Sequence, residues 1–224
     1  MEGQFIYGSN TTFLVICTFE NQSINAVYKP MQGERPLWDF PHKSLAGREV
    51  TAYLVSEALG WNFVPPTVYR VRTLPLGPGS LQLFIEHDPE YHYFKFKATE
   101  KALLPKVMAF DLLINNADRK GGHFLLDKVG KLWLIDHGLS FHIEDKLRTV
   151  VWDHAGLPIP SKILSDISRI IPQLAVGKPL YQSIKNYLLI AEIDALRNRA
   201  VDLVEQGTYP LPPEERRAYP WPLV

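Results

Sequence analysis

The 224-residue chain has one cysteine, no net charge and no long apolar run, and each shortage excludes something. Cys17 cannot close an internal disulfide, so it reads as a buried structural thiol in a strand. Twenty-four Lys and Arg are balanced by 24 Asp and Glu, so no basic field advertises nucleic-acid binding. No segment approaches the roughly 20 apolar residues of a membrane helix. The opening Met1-Glu2-Gly3-Gln4 lacks the charged-then-apolar pattern of a secretory leader. No internal repeat is visible. The expectation is a soluble cytoplasmic protein with no nucleic-acid partner and no membrane insertion. At 46 % hydrophobic residues it has material for a substantial core, in one large domain or two small lobes.

What is there centres on Asn115-Asn116-Ala117-Asp118-Arg119-Lys120-Gly121-Gly122-His123 and its echo, Leu134-Ile135-Asp136-His137-Gly138. An apolar helix pattern over residues 107–114 runs into the polar loop. A short apolar strand, a turn at 128–131 and a second strand at 132–135 follow. Two acids at the edges of buried structure are costly to leave ionised without something positive between them. Phosphoryl transfer needs an acid to orient the attacking hydroxyl and ligands to hold a metal on the phosphates. Asp118 is the candidate acid and Asp136 the main metal ligand. His123 stands where kinases place a metal-binding Asn. Arg119 or Lys120 is a candidate to offset charge on the transferring group. Taken singly, each acid is equally at home as an ordinary turn or strand-end residue.

The Asp-Arg opening, the spacing and the terminal Asp-x-Gly resemble the atypical kinases, namely the phosphatidylinositol 3-/4-kinase superfamily and the HipA-like bacterial kinases. Departures fall at His123 and His137. The chain as a whole resembles a small bacterial family of phosphatidylinositol 3-/4-kinase-like proteins. The resemblance is carried by Gly8-Ser9-Asn10, Ala26-Val27-Tyr28-Lys29-Pro30, residues 36–41 and residues 116–123, and it covers nearly the whole chain. It implies a two-lobed α+β kinase-like fold, with a small β-rich lobe holding one helix over residues 1–86. A mostly helical lobe over 87–224 would carry the loop and the metal-binding hairpin.

In that frame Gly8, Ser9 and Asn10 form a hairpin turn over the nucleotide phosphates. Lys29 ends the third strand of the small lobe and reaches the α/β-phosphates. A helix over 45–59 starts after a Ser44 cap, stops at Gly60 and carries Glu49, whose apolar neighbours call for a cationic partner. That partner is Lys29. Leu37, Trp38 and Phe40 are too apolar for a free linker and are expected to pack. Strands are expected at 67–72 and 81–85, and Glu86 and His87 lie at the hinge, whose backbone would bond adenine. Helices are expected at 100–114, from Ser161, and over 180–205. Asp111, inside the helix before the loop, fits an anchor for the loop and a surface position equally. Residues 139–160 would be the activation or substrate segment. They hold only Lys146 and Arg148 as basic residues, too few for an anionic-lipid patch. A proline-rich end lies extended over the surface.

The function expected is ATP-dependent phosphoryl transfer, with Mg²⁺ or Mn²⁺, to a protein Ser/Thr or small-molecule hydroxyl in preference to a lipid. Alternatives are a nucleotide-binding pseudokinase, an AMP transferase, or a metal-dependent hydrolase built on His123, Asp118, Asp136 and His137.

Overall fold

The computed structural model describes residues 3–5, 11–71 and 76–224; Gly8, Ser9 and Asn10 lie outside the described residues. Strands β1 (Gly3–Phe5), β2 (Thr12–Phe19), β3 (Gln22–Pro30), β4 (Thr67–Arg70) and β5 (Gly79–Leu83) form one antiparallel sheet in the order β1-β2-β3-β5-β4. Lys29 pairs with Ser80 near the end of β3. Among the described residues the sheet's own buried core is small: Val15, Ala26, Tyr28 and Leu81. Four side chains cannot enclose a neighbour, so Cys17 is half-buried at their margin and not the buried thiol expected.

Helix α1 (Leu45–Leu59) ends at Gly60, whose φ of 70° is the left-handed geometry that favours glycine. Its start differs from expectation. Ser44 makes no side-chain cap. Glu34 reaches in from the linker instead, its Oε2 accepting the Leu45 N–H at 3.2 Å and its Oε1 the Ala46 N–H at 3.0 Å. A carboxylate there satisfies two helix-end donors and suits the helix dipole. In the same linker Phe40 is buried, whereas Trp38 is 92 % exposed, contrary to its expected packing. Its ring lies 5.1 Å from the Lys146 ammonium, a cation–π contact that needs no burial.

The helical part comprises α2 (Ala98–Lys101), α3 (Leu104–Ile114), α4 (Ser161–Ile170), α5 (Pro179–Ile184) and α6 (Ile190–Gln206), with a hairpin of β6 (Phe124–Leu126) and β7 (Leu132–Leu134). Two helices read as continuous are broken. The first restarts at Leu104 with Pro105 in the opening turn, where its missing N–H costs nothing. The second restarts at Ile190, where Glu192 Oε2 accepts the Leu189 N–H at 2.8 Å. Helix α3 is apolar nearly all round. Val107, Met108, Phe110, Leu113 and Ile114 are fully buried at the centre of the main core, which explains why no stripe separates its faces.

Arg48 fixes α1 to this core. Its guanidinium is wholly buried, paired with Glu192 on α6, bonded through Nη1 to Ser140 O at 2.5 Å, and stacked 4.9 Å from the Phe40 ring centroid. Removing one member of a buried pair strands the other charge. Arg48→Met should therefore cost about 3–5 kcal/mol, or roughly 10 °C in Tm, with much of it recovered in Arg48→Met/Glu192→Leu. Thermal denaturation checks this, and a single variant as stable as wild type contradicts it.

Candidate functional site

Three chain segments meet at the Lys29 ammonium. Its Nζ donates to Glu49 Oε1 of α1 at 2.5 Å and to Asp136 Oδ1 at 2.9 Å. The other oxygen of Glu49 accepts the His137 backbone N–H at 3.1 Å, so one buried carboxylate ties strand β3 to the turn after β7. Burial pulls the Lys29 pKa down, but the charges of Asp136 and Glu49 outweigh it and the ammonium is held above its ordinary range. The Lys29 charge in turn keeps Asp136 ionised, well below the usual carboxylate range. Asp136 has a φ of 61°, a left-handed geometry Asp tolerates better than most residues, and its side chain is half exposed.

The loop from 115 to 123 is built from below. Asn115 ends α3 at φ 52° and binds three backbone groups of the following segment: His142 O at 2.9 Å, Glu144 O at 2.7 Å and the Lys146 N–H at 3.0 Å. Asn116 Nδ2 donates to Asp111 at 3.1 Å while its Oδ1 accepts the Asp118 N–H at 3.0 Å. Asp111 is buried and anchors the loop, which decides against the surface position that its place in the helix equally allowed. The two asparagines went unassigned from sequence; a polar pair directly after a buried helix was the available signal.

Arg119 is corrected by this geometry. It is completely buried, with Nε on Asp111 at 3.0 Å, Nη1 on Ile135 O at 3.0 Å and Nη2 on His137 Nε2 at 2.7 Å. A guanidinium with its donors spent inside the protein cannot meet a transferring phosphoryl group. It braces the two halves of the site instead. Lys120 stays outside, its Nζ 3.2 Å from Asp118 Oδ2.

Asp118 is three-quarters covered, and loss of solvent pushes its pKa up to about 6, with Lys120 pulling the other way. His123 is pushed down to about 4 by burial, with Asp136 opposing, so its imidazole is neutral. Its Nδ1 accepts the Lys120 N–H at 3.4 Å, which leaves the proton on Nε2, 3.3 Å from Asp136 Oδ2. In this tautomer His123 steadies Asp136 and offers no lone pair of its own.

The donor set fits a hard divalent cation shared with a phosphate. Among the described residues no three His, Cys, Asp or Glu side chains are grouped to hold a metal by themselves. Mg²⁺ is commonly held by one or two carboxylates plus substrate phosphates. The same geometry does not support the hydrolase centre, because buried His137 faces Arg119. Glu86 and His87 line a cleft of about 630 Å³ with Phe84, Tyr91 and Leu126. Glu86 itself pairs with Lys128 in solvent, and His87 Nδ1 lies 2.8 Å from Ile85 O. The carboxyl ¹³C resonance of Asp118 should titrate with a midpoint near 6, and higher in Lys120→Met, which removes the cation that favours ionisation. A midpoint near 4 contradicts the desolvated setting.

No family model matches the chain. It is 41 % identical to protein Rv2133c of Mycobacterium tuberculosis, over 98 % of this chain and 90 % of that protein. It is 28 % identical to phosphatidylinositol 4-kinase gamma 3 of Arabidopsis thaliana over 64 % of its length, spanning 26 % of the plant enzyme. Among solved structures, the Golgi casein kinase with Mn and ADP bound superposes with a TM-score of 0.54 at 16 % identity, covering 90 % of this chain and 70 % of that one. The sheet-and-helix arrangement is therefore a kinase-like α+β fold, and the chain belongs to the family of Mycobacterium tuberculosis protein Rv2133c.

Proposed function

We propose that the chain is an ATP-dependent phosphotransferase acting on a hydroxyl acceptor. The observation that carries this reading is the Lys29 ammonium held at once by Glu49 and Asp136, with Asp118 close enough for the Asp136 charge to act on it. Lys29 binds the phosphates of ATP, and Glu49 holds Lys29. Asp136, steadied by His123, supplies the protein's carboxylate to Mg²⁺ or Mn²⁺, which when bound screens the phosphate charge. Asp118 orients the acceptor hydroxyl and takes its proton. The bond from the acceptor oxygen to the γ-phosphorus forms, the bond from that phosphorus to the β,γ-bridging oxygen breaks, and ADP leaves. A pKa near 6 leaves Asp118 ionised at neutral pH, as a proton acceptor requires. The cleft at 84–88 is the place for the adenine.

One observation favours a second reading, nucleotide binding without transfer: His123, in its tautomer here, leaves Asp136 without a second donor from His123 to a metal. Transfer from γ-labelled ATP separates the two. Under the leading reading Asp118→Ala loses on the order of 10²–10⁴-fold in rate while still binding ATP. Metal-dependent binding with no transfer to any acceptor supports the second reading, and product mass distinguishes phosphate from AMP transfer. With one carboxylate donor, Mn²⁺ should be retained only when nucleotide is present, as read by its paramagnetic resonance signal; tight retention by the protein alone contradicts the assignment.

A further inference from the structure

The most defined feature beside the site that the mechanism leaves unused is the segment 216–224. It crosses the segment after Gly138 and ends on the Asp118 loop. Arg216 Nη1 donates to Leu147 O at 2.6 Å and its Nη2 pairs with Asp145 at 2.5 Å. Ala218 O accepts the Thr149 N–H at 3.1 Å and the Trp152 indole N–H at 3.3 Å. Leu223 O accepts the Gly121 N–H at 2.7 Å. A Cβ added at Gly121 would stand 2.9 Å from the Phe94 ring and 3.3 Å from Leu223 O, so the strap is packed closely on this glycine. Val224 lies over Gly122, 3.7 Å from where a Cβ would be. An extended polypeptide laid along the Asp118 loop at Gly121 and Thr149 would need these same backbone donors, since main-chain hydrogen bonds give such docking its affinity. They are already taken.

Two cations also act on Asp118. Lys120 touches it. Arg148 brackets it through the backbone, its N–H donating to Asn116 O at 2.9 Å and its carbonyl accepting the Arg119 N–H at 2.9 Å. The Arg148 side chain is exposed, and among the described residues its guanidinium has no hydrogen-bond or ion-pair partner. A single acid does not need two cations, and an incoming anion would use both.

We propose that the acceptor is a small anionic hydroxyl compound, excluded from being an extended polypeptide by the strap at 216–224 and held by Arg148 with Lys120. This rests on the phosphotransferase reading. It names the acceptor class for that site.

The test uses the full-length chain and a cell extract split by size, with the small-molecule part divided on an anion exchanger into retained and unretained pools. Metal-dependent nucleotide binding is measured first, and its absence sinks the phosphotransferase reading itself. Each pool then receives γ-labelled ATP with wild type, with Arg148→Gln, and with Arg216→Ala/Ala218→Asp. Faster amide exchange at Gly121 verifies that this last variant frees the strap. Wild type is expected to label compounds in the retained small-molecule pool. Arg148→Gln should cut that labelling about tenfold or more at limiting acceptor with the KM for ATP unchanged, the loss expected for one charged hydrogen bond. Freeing the strap should allow polypeptides to be labelled. Wild-type labelling of polypeptides or of the unretained pool overturns the proposal, as does an Arg148→Gln variant with unchanged labelling. Labelling of polypeptides by the freed variant alone, with wild type labelling no pool, overturns it too, because the strap would then inhibit a protein kinase.

Discussion

One ammonium holds the site together. Lys29 comes from the sheet, Glu49 from α1 and Asp136 from the turn after the β6–β7 hairpin, and the two carboxylates would repel without the cation between them. Glu49 is buried, so its carboxylate depends on the ammonium and not on water, while Lys29 stays partly open. Strand, helix and turn are thereby held in register. Every other feature of the site acts on this arrangement: the second Glu49 oxygen takes the His137 N–H, and His123 lies against Asp136.

A second, deeper set of charges supports the first without touching it. Asp111 gathers Asn116, Arg119 and Thr149 beneath the loop, and Arg119 passes on to His137 and Ile135 O. Arg48 and Glu192 tie α1 to α6. These groups are buried, whereas Asp118, Lys120 and Asp136 remain partly open. The division has a physical basis. Under the proposed function the groups that meet a ligand keep some solvent access, and groups that fix loop geometry spend their hydrogen bonds internally.

Much of this was legible in the sequence, for reasons that differ by residue. The apolar run into Asn115-Asn116-Ala117-Asp118, the hairpin signals and the Gly60 stop are local patterns, and local patterns survive folding. Apolar neighbours showed that Glu49 needs a cation, but it was the kinase resemblance that named Lys29 as that cation. Arg119 was misread, since sequence shows a charge but not whether the chain folds over it. The Glu34 cap was invisible for a similar reason: a side chain eleven residues upstream competes with the adjacent Ser44 only through tertiary geometry. The breaks at 102–103 and 185–189 were hidden because apolar spacing continues across them. The strap at 216–224 was readable as an extended proline-rich end, but its partner, Gly121, was not, because backbone contacts leave no mark on side-chain identity.

The central claim is that Lys29 and Asp136 form one binding centre for a nucleotide's phosphates and its metal. Titration calorimetry of Mn–ATP against wild type, Lys29→Met and Asp136→Asn tests it most directly. The account predicts binding by wild type and clear weakening in both variants. Unchanged affinity in either variant, or no binding by wild type, would contradict it.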